Sequence, residues 1–292
     1  TSGNAEVSAL MRTAFGAHGG YSLVTPDKAA FTFRIDPLAG NQVRLVILSG
    51  QPPQKQFEST VTGENSINAV LRACDTAVRK TLGEPGFFAG KLAFVSQRSG
   101  RHEIYTSDLF FRNVRQLTRD RRHVMTPHWH PGGNALLYTS YHRSGFPDIF
   151  RIDLATGRRT AFATYRGTNQ GAVFSPNGGK AAMILSSTGN PELYVSGADG
   201  RNPRRLTKNT AIEQTPTWSP DGQRLIVTSD RLGFPQLHVI EARGGALQRL
   251  RTNISRYCAE ADWNPRAPNL VVFTAAVAGG YQIALFDFAK QR

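Results

Sequence analysis

Trp218-Ser219-Pro220-Asp221-Gly222 opens the stretch that decides the fold, because the same pattern returns along the chain. It is found as Trp129-His130-Pro131-Gly132-Gly133, Phe174-Ser175-Pro176-Asn177-Gly178 and Trp263-Asn264-Pro265. The aromatic steps 129→174, 174→218 and 218→263 are 45, 44 and 45 residues, and prolines 131, 176, 220 and 265 keep the same steps. Other features stay in phase. An apolar run follows each turn (Ala135–Ser140, Ala181–Ser186, Leu225–Ser229, Leu270–Ala275), and an earlier copy lies at Leu92–Ser96. A glycine comes next, at 100, 145, 189, 233 and 279/280, and then a second strand-like run such as Asp148-Ile149-Phe150 or Glu192-Leu193-Tyr194. A third run ends at Leu117-Thr118, Leu206-Thr207 or Leu250-Arg251. Several positions repeating at one period identify a repeat architecture.

Each unit carries about four short apolar segments separated by Gly, Pro, Asn and Asp, with no helical period between them. A period of about 44 residues with four strands per unit predicts a β-propeller, one unit to a blade. In this reading proline ends an outer strand and the following glycine reverses the chain into the next blade's inner strand. The Trp or Phe before it is expected to wedge between blades. Residues 88–292 amount to about 4.7 such units, with five copies of the run after the turn and four aromatic-Pro turns, so a truncated propeller is expected.

Residues 1–87 do not repeat and predict a small α/β domain. Val7, Leu10, Met11 and Phe15 fall on one face of a short helix. Phe31, Phe33 and Ile35 alternate as a strand, Val43–Leu48 is a second, and Phe57 with Val61 suggests a third. A longer helix from about Asn65 to Leu82 bears the stripe Ile67, Val70, Leu71, Cys74, Val78 and Leu82, stopped by Gly83 and Pro85.

Composition is that of a globular protein: 40% hydrophobic and 19% charged residues, outside the range of disordered chains. No run reaches the ~18–20 apolar residues that span a bilayer. The chain begins at Thr1 with no charged lead into an apolar segment, so any secretory signal is expected to have been removed. Cys74 and Cys258 form no CxxC pair, and their place in apolar stripes favours two small buried hydrophobes, with a bridge left open. The excess of 35 basic over 21 acidic residues gives +14, which favours an acidic protein or a polyanion. The basic residues are scattered, without an ordered stripe of stacking aromatics, so no nucleic acid is expected.

From the pattern at 218–237, the chain resembles the TolB-like family, whose repeats are related to WD40-like ones. Prolyl-oligopeptidase propellers and some polysaccharide lyases carry similar units. The order helix, three strands, helix, then Gly86-Phe87-Phe88 into the first repeat is also similar to that family. The resemblance implies a mainly β, six-bladed propeller behind an N-terminal α/β domain, in a periplasmic protein of the Tol-Pal envelope system. It implies a non-catalytic scaffold whose partner is an envelope protein, a Pal-like lipoprotein.

No nucleophile elbow, P-loop, HExxH or EF-hand pattern occurs, and no cofactor is expected. His123, His128, His130 and His142 lie within twenty residues. One blade rarely supplies a whole metal site, so polar surface or strand pairing is the expected role. A metal-dependent lyase of oligogalacturonate type, with histidines in the central channel, is the alternative that the related propellers suggest. Arg98, Arg143 and Arg231 recur before the loop glycines, either to bond neighbouring loops or to form a basic ring.

The connections that vary between repeats are the candidate recognition face, since variable loops on a rigid scaffold carry binding. They contain His123, Thr168, Asn169, Gln170, Glu213, Gln214, Arg256 and Glu260. By the resemblance, Thr168–Gln170 and Glu213–Gln214 are the positions that meet the lipoprotein. The family's histidine at the first of them is Thr168 in this chain.

Overall fold

The computed structural model describes residues 1–292. The chain divides into two compact units, Thr1–Leu92 with Thr106–Val114, and Ala93–Tyr105 with Arg115–Arg292.

In the first unit helix α1 (Ala5–Gly16) starts at Asn4, whose side chain accepts from the Glu6 and Val7 amides, as a good N-cap does. Strands β1 (Phe31–Pro37), β2 (Gln42–Ser49) and β3 (Gln54–Thr62) form an antiparallel sheet in chain order. Helix α2 (Ser66–Leu82) is capped by Asn65 and ends at Gly83, at φ 74°, a left-handed turn that glycine takes without a Cβ clash. Both helices lay their apolar stripes on Ile35, Val43, Leu45 and Ile47 of the sheet. Cys74 is inside this core, and burial raises its thiol pKa. Leu82, the last residue of the predicted stripe, is exposed.

The second unit is built from five antiparallel sheets, the blades. Blade 1 holds three strands, β4 (Lys91–Ser96), β5 (Glu103–Asp108) and β6 (Arg115–Gln116), which correspond in the repeat to the second, third and fourth strands of the blades that follow. Blade 2 holds β7 (Val124–Trp129), β8 (Ala135–Ser140), β9 (Asp148–Asp153) and β10 (Arg159–Ala163). Blade 3 holds β11 (Asn169–Phe174), β12 (Lys180–Leu185), β13 (Glu192–Gly197) and β14 (Arg204–Arg205). Blade 4 holds β15 (Glu213–Trp218), β16 (Arg224–Ser229), β17 (Gln236–Glu241) and β18 (Gln248–Arg249). Blade 5 holds β19 (Cys258–Trp263), β20 (Leu270–Val277) and β21 (Gly280–Asp287).

The register corrects one sequence expectation. Trp218 pairs with Leu225 and Trp129 with Leu136, so the aromatic-Pro segment ends the first strand of a blade. The Pro-x-Gly turn is the hairpin to the second strand, not the link between blades. The reason is local: Ser219 closes on Arg224 from both backbone and side chain, and Asp221 accepts from Gln223 N, which makes a tight hairpin. The aromatics do wedge between blades. Phe174 packs with Leu137 and Ile149 of blade 2, Trp218 with Ala182 and Ile184 of blade 3, and Trp263 with Ile226 and Leu237 of blade 4. Trp218 also donates from its indole to the Val173 carbonyl.

The first strands of blades 2 to 5 carry a bulge at one register: Thr126, Gly171, Thr215 and Glu260 all have φ between 47° and 64°. A bulge breaks the pairing and re-aims the strand. Hydroxyls stabilise it, with Thr126 bonded to Thr139 and Thr215 to Thr228. No helix is long and apolar enough to cross a membrane.

Candidate functional site

Because strands alternate in direction, each blade has two ends. The Pro-x-Gly hairpins lie at one. At the other lie the second-to-third-strand loops, around Gly100, Gly145, Gly189 and Gly233, together with the connections between blades at 117–123, 164–168, 206–212 and 250–257. Every residue singled out for binding lies in or beside one of these connections, so the topology gathers them on one face.

In blades 1 to 4 a buried polar side chain at the start of the third strand, or of its counterpart β5 in blade 1, braces the connection behind it. Glu103 accepts from the amides of Asp120 and Arg121 and from the Thr118 hydroxyl. Glu192 accepts from Asn209 N and from the Arg205 guanidinium. Gln236 meets carbonyls instead, and its amide donates to Ser255 O and Arg256 O. Asp148 is a methylene shorter, and Asn169 bridges from it to the Tyr165 and Gly167 carbonyls.

These braces decide what the candidate residues can touch. Asn169 and Glu213 are both 0% exposed, so their side chains hold the face from beneath and do not reach a partner. Gln214, His123, Arg256 and Glu260 are exposed, while Thr168 and Gln170 are half-buried. Thr168 is fixed by mutual bonds with Ser186. His123 packs edge-on against His102 and Tyr141. Glu260 sits on the blade 5 bulge and accepts from Thr274.

Beneath the blade 3–4 connection two buried carboxyls meet. Glu213 takes bonds from Asn209 Nδ2 and Ser229 Oγ on one oxygen, and Thr207 Oγ1 lies 3.4 Å from the other. Glu192 Oε2 receives no donor from any other residue. Burial and the neighbouring Glu192 push the Glu213 carboxyl up to about 7. Burial raises Glu192 too, but bonds from Thr207, Asn209 N and Arg205 outweigh it and hold Glu192 below its ordinary value. The pair is therefore satisfied when Glu213 keeps its proton and donates it to Glu192.

The four clustered histidines face separate surroundings. His130 packs on Phe174, and His142 on Phe150 near the Asp120 carboxylate. Burial drops His128 to about 4. No three His, Cys, Asp or Glu side chains converge on a point that would hold a metal ion. Cys258 is buried and, like Cys74, unbridged. Of the recurring arginines, Arg231 donates to the Leu247 carbonyl, a structural bond.

The sequence reading passed over the apolar side chains of this face. Phe146, Leu232, Phe234, Ile212 and Ile254 are between 42% and 66% exposed. The signal was present in the Gly-Phe-Pro triplets at 145–147 and 233–235.

The model of the TolB beta propeller domain matches residues 78–292. The chain is 34% identical over 172 residues to the Tol-Pal system protein TolB of Bordetella pertussis, an alignment covering 59% of this chain and 39% of that protein. It thus spans well under half the length of this relative. The crystal structure of TolB from Acinetobacter baumannii superposes with a TM-score of 0.85 at 22% identity, covering 99% of this chain and 79% of that one. An oligogalacturonate lyase from Vibrio parahaemolyticus shares the fold more distantly, with a TM-score of 0.52 at 14% identity over 70% of this chain and 61% of that one.

Proposed function

The chain belongs to the TolB β-propeller family, and from that premise we propose that it is a non-catalytic periplasmic scaffold that binds an envelope protein. In this reading residues 1–87 are the N-terminal α/β domain and 88–292 the propeller. The partner is a Pal-like lipoprotein, met by the end of the blades that carries the connections. The observation that supports this most is the division of labour on that face. The bonds beneath it are made by Glu103, Asp148, Glu192 and Gln236, while Gln214, His123, Arg256 and Glu260 are exposed above.

The contact residues are then His123, Thr168, Gln170, Gln214, Arg256 and Glu260, with Asn169 and Glu213 as supports. Titration calorimetry against the periplasmic domain of a Pal-like lipoprotein tests the proposal. Saturable binding is expected, weakened about tenfold or more by Gln170→Ala with Gln214→Ala, the size of a small interface hot spot. Undiminished affinity in that variant places the contact elsewhere. An absence of binding removes the lipoprotein as partner. A lyase assay on polyuronates with added divalent metal tests the non-catalytic part, and product formation would overturn it.

A further inference from the structure

We infer that the blade 4 end of this face is a docking surface for an acidic protein segment that carries apolar side chains. The inference rests on the reading that this face meets a protein partner, and it adds the chemistry of what is met.

The loop Asp230–Pro235 lies between two connections and is tied to both. Ile212 N donates to Asp230 Oδ1 on one side. On the other, Cys258 N donates to the Pro235 carbonyl, and Gln236 holds the Ser255 and Arg256 carbonyls. Ile212, Leu232, Phe234 and Ile254 are thereby collected around one loop, at 42%, 53%, 52% and 42% exposure. Apolar groups gathered in one exposed place and edged by polar ones mark interaction sites.

The equivalent loop of blade 3 shows that an aromatic is not needed to build this turn. There Asn190 occupies the position of Phe234 and donates inward to the carbonyls of Asn209 and Ala211. Phe234 makes no such bond and leaves its ring in solvent. Phe146 does the same in blade 2, at 66% exposure. Blades 2 and 4 therefore place a phenyl ring where blade 3 has a polar brace.

The charge around the blade 4 cluster selects the partner. Lys208, Arg251 and Arg256 are exposed on the two connections. Arg231 is turned away to the Leu247 carbonyl, and the Asp230 carboxylate accepts from Ile212 N and keeps its single negative charge. An apolar cluster edged by three exposed cations, which outnumber the Asp230 carboxylate, complements carboxylates interspersed with apolar anchors.

The experiment is fluorescence anisotropy of the full chain with three labelled 16-residue peptides: Glu-Glu-Phe-Ser repeated four times, the same with Ser for Phe, and the same with Lys for Glu. The first is expected to bind, the second about tenfold or more weaker, and the third not measurably. Leu232→Ser with Phe234→Ser should weaken the first about tenfold, and Lys208→Glu with Arg256→Glu likewise. All four positions are exposed, and an unchanged urea midpoint verifies folding of both variants. Equal binding of the Phe and Ser peptides, or full binding by the Leu232→Ser/Phe234→Ser variant, overturns the inference, as does tighter binding of a 16-nucleotide single strand than of the first peptide. If the lipoprotein fails to bind while the peptide series behaves as stated, the partner's identity falls and this surface stands. If the lipoprotein binds and the peptides do not discriminate, this inference falls alone.

Discussion

Glu213→Gln should remove most of the alkaline destabilisation of the propeller, and the buried pair beneath the blade 3–4 connection fixes both the sign and the size. In the folded chain Glu213 has its pKa raised to about 7 from an ordinary value near 4.5. A carboxyl raised in this way stabilises fully below the unfolded value, about pH 4.5. The contribution is lost as pH climbs to the folded value, and none remains above about pH 7.5. At about 1.4 kcal/mol per pKa unit, ionising Glu213 in place costs about 3 kcal/mol, of which about 2 kcal/mol falls between pH 5 and pH 8. Glutamine keeps an acceptor for Asn209 Nδ2 and Ser229 Oγ and turns an amide donor to Glu192 Oε2. The advantage of the variant over the parent should therefore grow by about 2 kcal/mol between pH 5 and pH 8. With a urea slope of about 2–3 kcal/mol/M, that is a midpoint shift of about 0.7–1 M. His128, His142 and His238, all lowered by burial, destabilise the fold toward acid, but they are common to both proteins and cancel in the difference. Parallel stability curves for the two proteins from pH 5 to 8 would refute the shared proton.

Trp218→Ala should cost about 3–5 kcal/mol, the range for a large buried aromatic, because it empties the blade 3–4 seam and leaves the Val173 carbonyl without its indole donor; urea unfolding measures it. Gly171→Ala and Gly200→Ala separate backbone strain from collision. At Gly171, φ 64°, an added Cβ meets only Pro216 Cδ at 3.9 Å, so the cost should be about 1 kcal/mol. At Gly200, φ 81°, it would fall 2.2 Å from the Phe162 carbonyl, and the loss should be at least twice as large by thermal denaturation. The His128 ring should show no titration by NMR between pH 5.5 and 8, since burial holds its pKa near 4; a midpoint close to 6.5 would mean that the ring is hydrated.

The fold was legible because the repeat is written in residues with fixed mechanical roles. A proline that sets φ, a glycine with positive φ and an aromatic wedge keep their spacing whatever surrounds them, and Gly133, Gly178 and Gly222 all have the expected left-handed backbone. What the pattern leaves open is strand phase. A Trp-Ser-Pro-Asp-Gly turn reads alike whether it joins blades or strands of one blade, and only the pairing of Trp218 with Leu225 decides. The candidate site was legible as a face but not as a set of contacts. Asn169 and Glu213 look like exposed loop polars in sequence, yet both are pulled inward, Asn169 by the Tyr165 and Gly167 carbonyls and Glu213 by the side chains of Asn209 and Ser229. The bulges at Thr126, Thr215 and Glu260 were hidden, since none is a glycine and each depends on a hydroxyl from a neighbouring strand.

The buried braces explain how a repeated scaffold carries a face that differs from blade to blade. Each connection must turn from an outer strand to the next inner strand, which leaves backbone donors or acceptors unpaired at the same register. Where amides point inward, as at Asp120, Arg121 and Asn209, the brace is a glutamate; where carbonyls do, at Ser255 and Arg256, it is a glutamine. The brace follows the backbone of the connection and ignores its side chains. Substitutions at Gln214, Arg256 or Lys208 should therefore leave the braces intact, whereas the raised Glu213 carboxyl beside Glu192 makes the blade 3–4 junction sensitive to pH. That junction is closed by Asn209, whose backbone amide bonds Glu192 and whose side chain bonds Glu213, three residues before Ile212 of the blade 4 cluster.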